Sequence, residues 1–400
     1  MPRQIELADV LRRHGEAFRH SHAGRLGHGE RRVMAAITAC RTAALGGHVE
    51  QCDDCGAVRV AYNSCRNRHC PKCQWTAREA WLEKRKAELL PVPYFHVVFT
   101  LPPAIAAIAF QNKARVYAIL FRASAEALRK LAANPRHLGA ELGVLAVLHS
   151  WGQTLQHHPH VHCVIPGGGP SLDGTRWVSC DKDFFLPVRP LARLFRGMFL
   201  DELRRAFDAA ELKFFGDLAP LAQPRAFARH LAKARRLDWV VYAKRPFAGP
   251  EQTLAYLARY THRVAIANSR LLALNEGKVD FTWKDYRHAG RTKVMTLDAT
   301  EFIRRFLLHV RPDGFHRIRY YGFLAIGRRA ENLARCRSLI DEAHAISDPD
   351  PPAAPVGVDD ARLTAAADPC VCPDCGGRMR RIGPAPRDPD SSAAFWCDTS

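Results

Sequence analysis

No run of about 18 consecutive apolar residues occurs in the chain, which argues against a transmembrane helix. The opening Met-Pro-Arg-Gln-Ile-Glu-Leu has no apolar core of the kind a secretory leader needs, so the expected location is the bacterial cytoplasm. Acidic residues are in short supply: 40 Asp and Glu stand against 59 Lys and Arg, a formal net charge of +19. A surplus of that size attracts polyanions, and nucleic acid is the leading partner. A membrane-surface protein would need an amphipathic stretch with a clean Lys/Arg face, and none stands out. A phosphate loop is also missing. Gly169 and Gly174 have the right separation, but Thr175 occupies the lysine position, so ATP is not an expected ligand.

Cysteine, by contrast, is plentiful at 13 residues. Several fall in C-x-x-C pairs, which in a reducing compartment points to metal rather than to disulfides. A chain of 400 residues with 47% hydrophobic content predicts two or three globular domains of ordinary composition.

Strand and helix patterns alternate along the chain, an α+β arrangement. Residues 1–45 read as helical, residues 48–75 as a metal-organised module, and Trp75 to Leu90 as a helix ended by Pro91 and Pro93. Strands are expected over Tyr94–Leu101, Gly143–Trp151, Pro159–Ile165 and Asp238–Lys244. One uninterrupted helical stretch is expected from Ala104 to Ala133, and further helices over 191–207, 224–236, 251–262 and 300–309. Asn275-Glu276-Gly277 predicts a hairpin turn within 263–282. The expected domains are 1–90, helical and zinc-binding; 91–345, catalytic, with a helical insertion around 190–236; a flexible linker over 346–369; and a second knuckle over 370–400.

His160-Val161-His162 lies in a strand-like segment. Alternate strand residues face one side, so both imidazoles can reach a single ion. Gln153, near the end of the preceding strand, is the expected third ligand through its carbonyl oxygen; His157 and His158 rank as loop residues. Two imidazoles and one oxygen would leave positions open for phosphate and water, as in a Lewis-acid site.

Tyr256 and Tyr260, spaced four apart, share one face of a predicted helix beside Arg259 and Arg263. A phenol can attack a phosphodiester to give a covalent protein–DNA ester that keeps the bond energy for rejoining. Cys52-x-x-Cys55 and Cys70-x-x-Cys73 have the spacing of a four-thiolate zinc ribbon, with Cys65 and His69 as alternative ligands. Cys372 and Cys375, with Cys370 and Cys397 nearby, are candidates for a second zinc.

Taken in order, Cys65 to Cys73, then Gly152-Gln153-Thr154-Leu155 leading to His158-Pro159-His160-Val161-His162, then Tyr256-Leu257-Ala258-Arg259-Tyr260, resemble the two-tyrosine rolling-circle transposases of bacterial insertion sequences. Their nuclease core is named HUH, for His, hydrophobic residue, His. The resemblance implies an antiparallel sheet with packed helices, preceded by a zinc-binding module. It assigns His160 and His162 to the paired ligands, Gln153 by position to the third, and Tyr256 and Tyr260 to the nucleophiles. It further implies Mg²⁺ or Mn²⁺ at the catalytic site, Zn²⁺ at the structural one, single-stranded element ends and target DNA as substrates, and 5′-phosphotyrosine intermediates. The released 3′-hydroxyl would bring in host replication machinery, and Trp151 or Trp283 would offer stacking surfaces for bases. Two alternatives stand beside it. A plasmid rolling-circle replication initiator uses the same chemistry. A non-catalytic zinc-dependent DNA-binding regulator accounts for the charge and the cysteines but not for H-x-H or Y-x-x-x-Y.

Overall fold

A computed structural model describes residues 4–181, 185–247, 264–288, 290–346 and 371–385. The chain begins with α1 (Leu7–Ser21), α2 (His28–Ala39), β1 (Gly47–Cys52), β2 (Val58–Tyr62) and α3 (Pro71–Lys86). There follow β3 (Tyr94–Thr100), α4 (Pro103–Gln111), α5 (Lys113–Ala133), β4 (Val144–Trp151), β5 (His157–Pro166), β6 (Gly168–Pro170) and β7 (Trp177–Ser179). Next come α6 (Val188–Asp208), α7 (Pro224–Arg236) and β8 (Val241–Phe247). The last described elements are β9 (Leu271–Asn275), β10 (Lys278–Asp285), β11 (Arg291–Asp298), α8 (Ala299–Leu307), β12 (Ile318–Tyr321), α9 (Arg329–Ile346) and β13 (Met379–Pro384). The predicted tyrosine helix and the 346–369 linker, apart from Ile346, lie outside the described residues.

These elements form two compact units, both discontinuous in sequence: Met1–Ala77, Ile266–Val310 and Val356–Ser400 make one; Arg78–Ala265 and Arg311–Pro355 the other. The expected boundaries at 90 and 345 therefore need correction. The β9–β11 sheet and α8 belong with the N-terminal unit, because α1 packs on α8 and the Asn268 side chain accepts the Leu7 amide at 3.1 Å.

In the second unit, five antiparallel strands run in the order β12-β4-β5-β3-β8. Successive residues of each strand point to opposite faces. One face, carrying Phe95, Val97, Phe99, Val144, Ala146, Leu148, Val161, Cys163 and Ile165, is buried under α4, α5 and α6 in one continuous core. On the other face, Tyr94, Leu145 and Val164 are covered by Phe323 and by Leu333, Cys336, Leu339 and Ile340 of α9. That apolar cover spans only part of the sheet.

Gly167 to Gly169 lead into the small β6–β7 hairpin. A Cβ on Gly169 would collide with the Glu141 carbonyl, so this glycine serves close backbone packing rather than phosphate binding. The predicted Asn275–Gly277 turn is present, with Glu276 and Gly277 at φ 48° and 75°, and it joins β9 to β10. A third strand, β11, extends that hairpin.

The single helix expected from Ala104 to Ala133 is two helices, broken at Asn112 (φ −127°, ψ 44°). Neither Gly nor Pro signals the break; a side-chain amide makes it. Asn112 Nδ2 donates to the Ile108 and Lys213 carbonyls at 3.1 and 2.8 Å, and its Oδ1 accepts the Lys213 amide at 2.7 Å. Asn112 is buried, so its loss leaves the Lys213 backbone groups without these partners. Asn112→Ala is expected to lower stability by about 1–3 kcal/mol, read from the urea unfolding midpoint; an unchanged midpoint would show that the loop needs no such anchor.

Candidate metal centres

Two groups of four cysteines gather in the first unit. Cys40 follows α2, Cys65 lies in the loop after β2, and Cys70 and Cys73 flank the first turn of α3, where a helix N-terminus favours thiolates. The Sγ atoms of Cys40 and Cys73, Cys65 and Cys73, and Cys40 and Cys70 are each 3.6 Å apart, and all four residues are buried. Hydrogen bonds from Cys65 and Cys70 pull the Cys40 thiol down to about 7. In the second group, Cys52 and Cys375 approach to 3.4 Å, and Cys55 and Cys372 to 3.7 Å.

A disulfide would need about 2.05 Å. A tetrahedral ion with Zn–S bonds of about 2.3 Å separates its sulfurs by roughly 3.8 Å. Both groups fit the ion and neither fits the disulfide. The expected set Cys52, Cys55, Cys70 and Cys73 is thus divided between two sites, since the two C-x-x-C pairs each complete their tetrahedron with other cysteines. Cys65, an expected alternative, sits in the first group; His69 sits in neither. Cys40 is a lone residue at a helix end and has no local spacing signal. Cys370 and Cys397 lie outside the described residues.

The third group consists of imidazoles: His149, His160 and His162, with ligand atoms all within 4.8 Å of one another. His160 and His162 alternate on β5, as the H-x-H spacing predicts. His149 on β4 is the direct cross-strand partner of His160. The three occupy the face opposite the α4–α6 core, beyond the apolar cover of α9. Gln153 lies in the turn joining β4 to β5, and His149 supplies the group's third imidazole. A lone histidine in the apolar run Val144–Trp151 carries no motif, which is why spacing alone did not select it. His157 and His158, expected in a loop, begin β5.

Neighbouring groups orient the rings. His160 Nδ1 donates to the His158 carbonyl at 2.7 Å, and His162 Nδ1 is 2.9 Å from Nε2 of buried His96 on β3. The first contact leaves Nε2 of His160 available to an ion, and the second does the same for His162 when its Nδ1 is the donor. His149 stacks on Trp151, ring centres 4.6 Å apart. Three neutral imidazoles on one side of an ion leave its other positions for oxygen ligands.

Two family models match the chain, over ranges that do not follow the two compact units. A model described as "Transposase zinc-binding domain" matches residues 10–101, and one described as "Putative transposase" matches residues 143–332. A chain of Sinorhizobium fredii named "Putative transposase y4qJ" is 64% identical over 335 residues, spanning 84% of each chain. This chain belongs to the IS91/IS801-type transposase family. The transposase for insertion sequence element IS801 of Pseudomonas savastanoi pv. phaseolicola is 28% identical to it over 350 residues, 87% of this chain and 82% of that one. Structures of the conjugative relaxase TrwC in complex with oriT DNA cover 41% of the transposase and 68% of the relaxase at 15% identity, with a TM-score of 0.24, too low to add to the family match.

One histidine of the transposase, at the start of β5 against α4 and α5, stays neutral at pH 7. His157 accepts or shares a hydrogen with the Tyr117 hydroxyl at 2.8 Å, and burial, then the Lys113 charge, pushes it from its ordinary 6.5 down to about 4. The unfolded chain takes up this proton first. The stability His157 allows is therefore complete above pH 6.5, falls as pH drops toward 4, and levels off below. The loss is on the order of 3 kcal/mol. His157→Gln is expected to flatten the pH dependence of the urea midpoint between pH 7 and 5; equal slopes for both proteins would place the titration elsewhere.

Proposed function

We propose that this transposase cleaves and rejoins single-stranded DNA at element ends and target, with Tyr256 and Tyr260 as nucleophiles and His149, His160 and His162 as the ligands of a divalent ion. The observation that carries the reading is the convergence of three oriented imidazoles on one sheet face, in a chain whose family moves insertion sequences. When bound, the ion polarises the scissile phosphate and stabilises the charge that develops on it. The chain's own residues do the rest. His96 and the His158 carbonyl hold two of the imidazoles in the ligating tautomer, and Trp151, stacked on His149, offers a surface for an unpaired base next to the centre.

Tyr256 and Tyr260 lie outside the described residues, and their role rests on their i, i+4 spacing and the family pattern. A phenolate attacks the phosphorus, the 3′-oxygen leaves as a hydroxyl after taking a proton, and the 5′-phosphate remains on tyrosine. Reversal with a different 3′-hydroxyl completes transfer without ATP. Two tyrosines would hold two strand ends in turn. The family match favours transposition over a plasmid replication initiator.

The donor set also bears on the ion. Three nitrogen ligands suit Mn²⁺ better than Mg²⁺, which prefers oxygen. Activity stripped by EDTA should return at Mn²⁺ concentrations at least about tenfold below those of Mg²⁺. The double variant Tyr256→Phe/Tyr260→Phe should form no covalent adduct with single-stranded DNA on denaturing gels while still binding it. An adduct from that variant would remove these tyrosines from the chemistry; full cleavage in excess EDTA would remove the ion.

A further inference from the structure

The C-terminal residues 371–385 fall outside both family matches, which end at 101 and 332, yet they contribute half of a four-cysteine group. We propose that Cys52, Cys55, Cys372 and Cys375 hold a second structural zinc that staples the C-terminal segment onto the N-terminal zinc-binding unit.

The two halves are built alike. Each is a C-x-x-C-G turn, Cys52-Asp-Asp-Cys55-Gly56 and Cys372-Pro-Asp-Cys375-Gly376. In each, the glycine amide donates to the carbonyl of the first cysteine, at 3.1 Å from Gly56 and 3.0 Å from Gly376. In each, the amide of the first cysteine donates to the carbonyl five residues on, at 2.9 Å to Ala57 and 2.7 Å to Gly377. The two glycines have φ of 73° and 80°, a region that other residues enter only with strain. Two copies of one turn facing each other, with sulfurs 3.4 and 3.7 Å apart, are the two halves of a zinc ribbon.

The strands complete the picture. β13 pairs antiparallel with β1, Cys52 opposite Met379, and β1 pairs with β2 on its other side. Asp53 binds this segment twice, its amide donating to the Arg378 carbonyl at 3.0 Å and its carboxylate accepting from Arg380 Nε at 3.1 Å. Among the described residues, the buried apolar cluster beneath them consists of Cys52, Cys372 and Met379, with half-buried Ala57 packed against it. So small a core does not hold three strands by burial alone, and small modules of this kind rely on a metal. The site also differs from the first group in access: Cys55 and Cys375 are exposed, whereas Cys40, Cys65, Cys70 and Cys73 are all buried.

The proposal stands apart from the nuclease reading and is tested on the full-length protein with zinc itself. Purified in the presence of zinc in a His160→Ala/His162→Ala background, which removes zinc binding at the histidine centre, the chain should carry two equivalents by mass spectrometry of metals. A chromophoric chelator should withdraw one quickly and the other slowly. Cys372→Ser/Cys375→Ser should carry one equivalent and lose the fast phase; Cys65→Ser should lose the slow one. A variant with a protease site placed within 351–365 gives a readout independent of the cysteine substitutions. After cleavage, the C-terminal fragment should co-elute with the body of the protein, and chelator should release it. In the same histidine-variant background, two equivalents retained by the double cysteine variant, one equivalent with all cysteines intact, or a fragment that separates while zinc is bound would each overturn the assignment.

Discussion

The register between β4 and β5 governs the histidine centre. His149 stands directly across from His160, and Val147 across from His162, because Ala146, Leu148, Val161 and Cys163 are locked into the core beneath α5 and α6. A strand alternates its faces residue by residue. A slip of one residue in β5 would turn both imidazoles into that core and expose Val161 and Cys163 in their place. The apolar face therefore holds the polar one, although none of its residues touches the imidazoles' function. The second face makes a complementary division: Leu145 and Val164 pack in the apolar cluster with α9, and His149, His160 and His162 group outside that cluster.

In the other unit, the cysteine groups stand beside an apolar core that includes Phe18, Met34, Phe281, Phe302 and Phe306. Its β1–β2–β13 sheet brings together segments far apart in sequence, and its helix α1 packs on α2 and on α8. Such long-range closure carries an entropic cost that local contacts do not offset. Metal coordination and the Asn268 cap on α1 are short-range, directional interactions suited to that task. Two buried-to-exposed grades of cysteine site in one unit also imply different rates of metal exchange.

What the sequence made legible follows from range. H-x-H, C-x-x-C and the Asn-Glu-Gly turn are local patterns whose physics is complete within a few residues, and the strands around them were readable from alternation. His149 and Cys40 carry no local pattern, because their partners arrive through strand pairing and tertiary packing. Gln153 is legible because it lies a few residues before H-x-H, whereas His149 reaches the same histidines across the sheet. The grouping of Cys52, Cys55, Cys70 and Cys73 failed for the same reason: proximity in sequence favoured one site, while the three-dimensional pairing with Cys372 and Cys375 favours two. The break at Asn112 depends on Lys213, about a hundred positions away, and so no propensity scale would find it.

The central claim is that the catalytic ion is held by three imidazoles, one from β4 and two from β5. X-ray absorption at the manganese edge of the Mn²⁺-loaded transposase reads that set directly, since the thiolate sites contribute nothing at this edge when filled with zinc. The account predicts three imidazole ligands, falling to two in His149→Ala and unchanged in Gln153→Ala. A spectrum that ignores His149→Ala but changes with Gln153→Ala would contradict it.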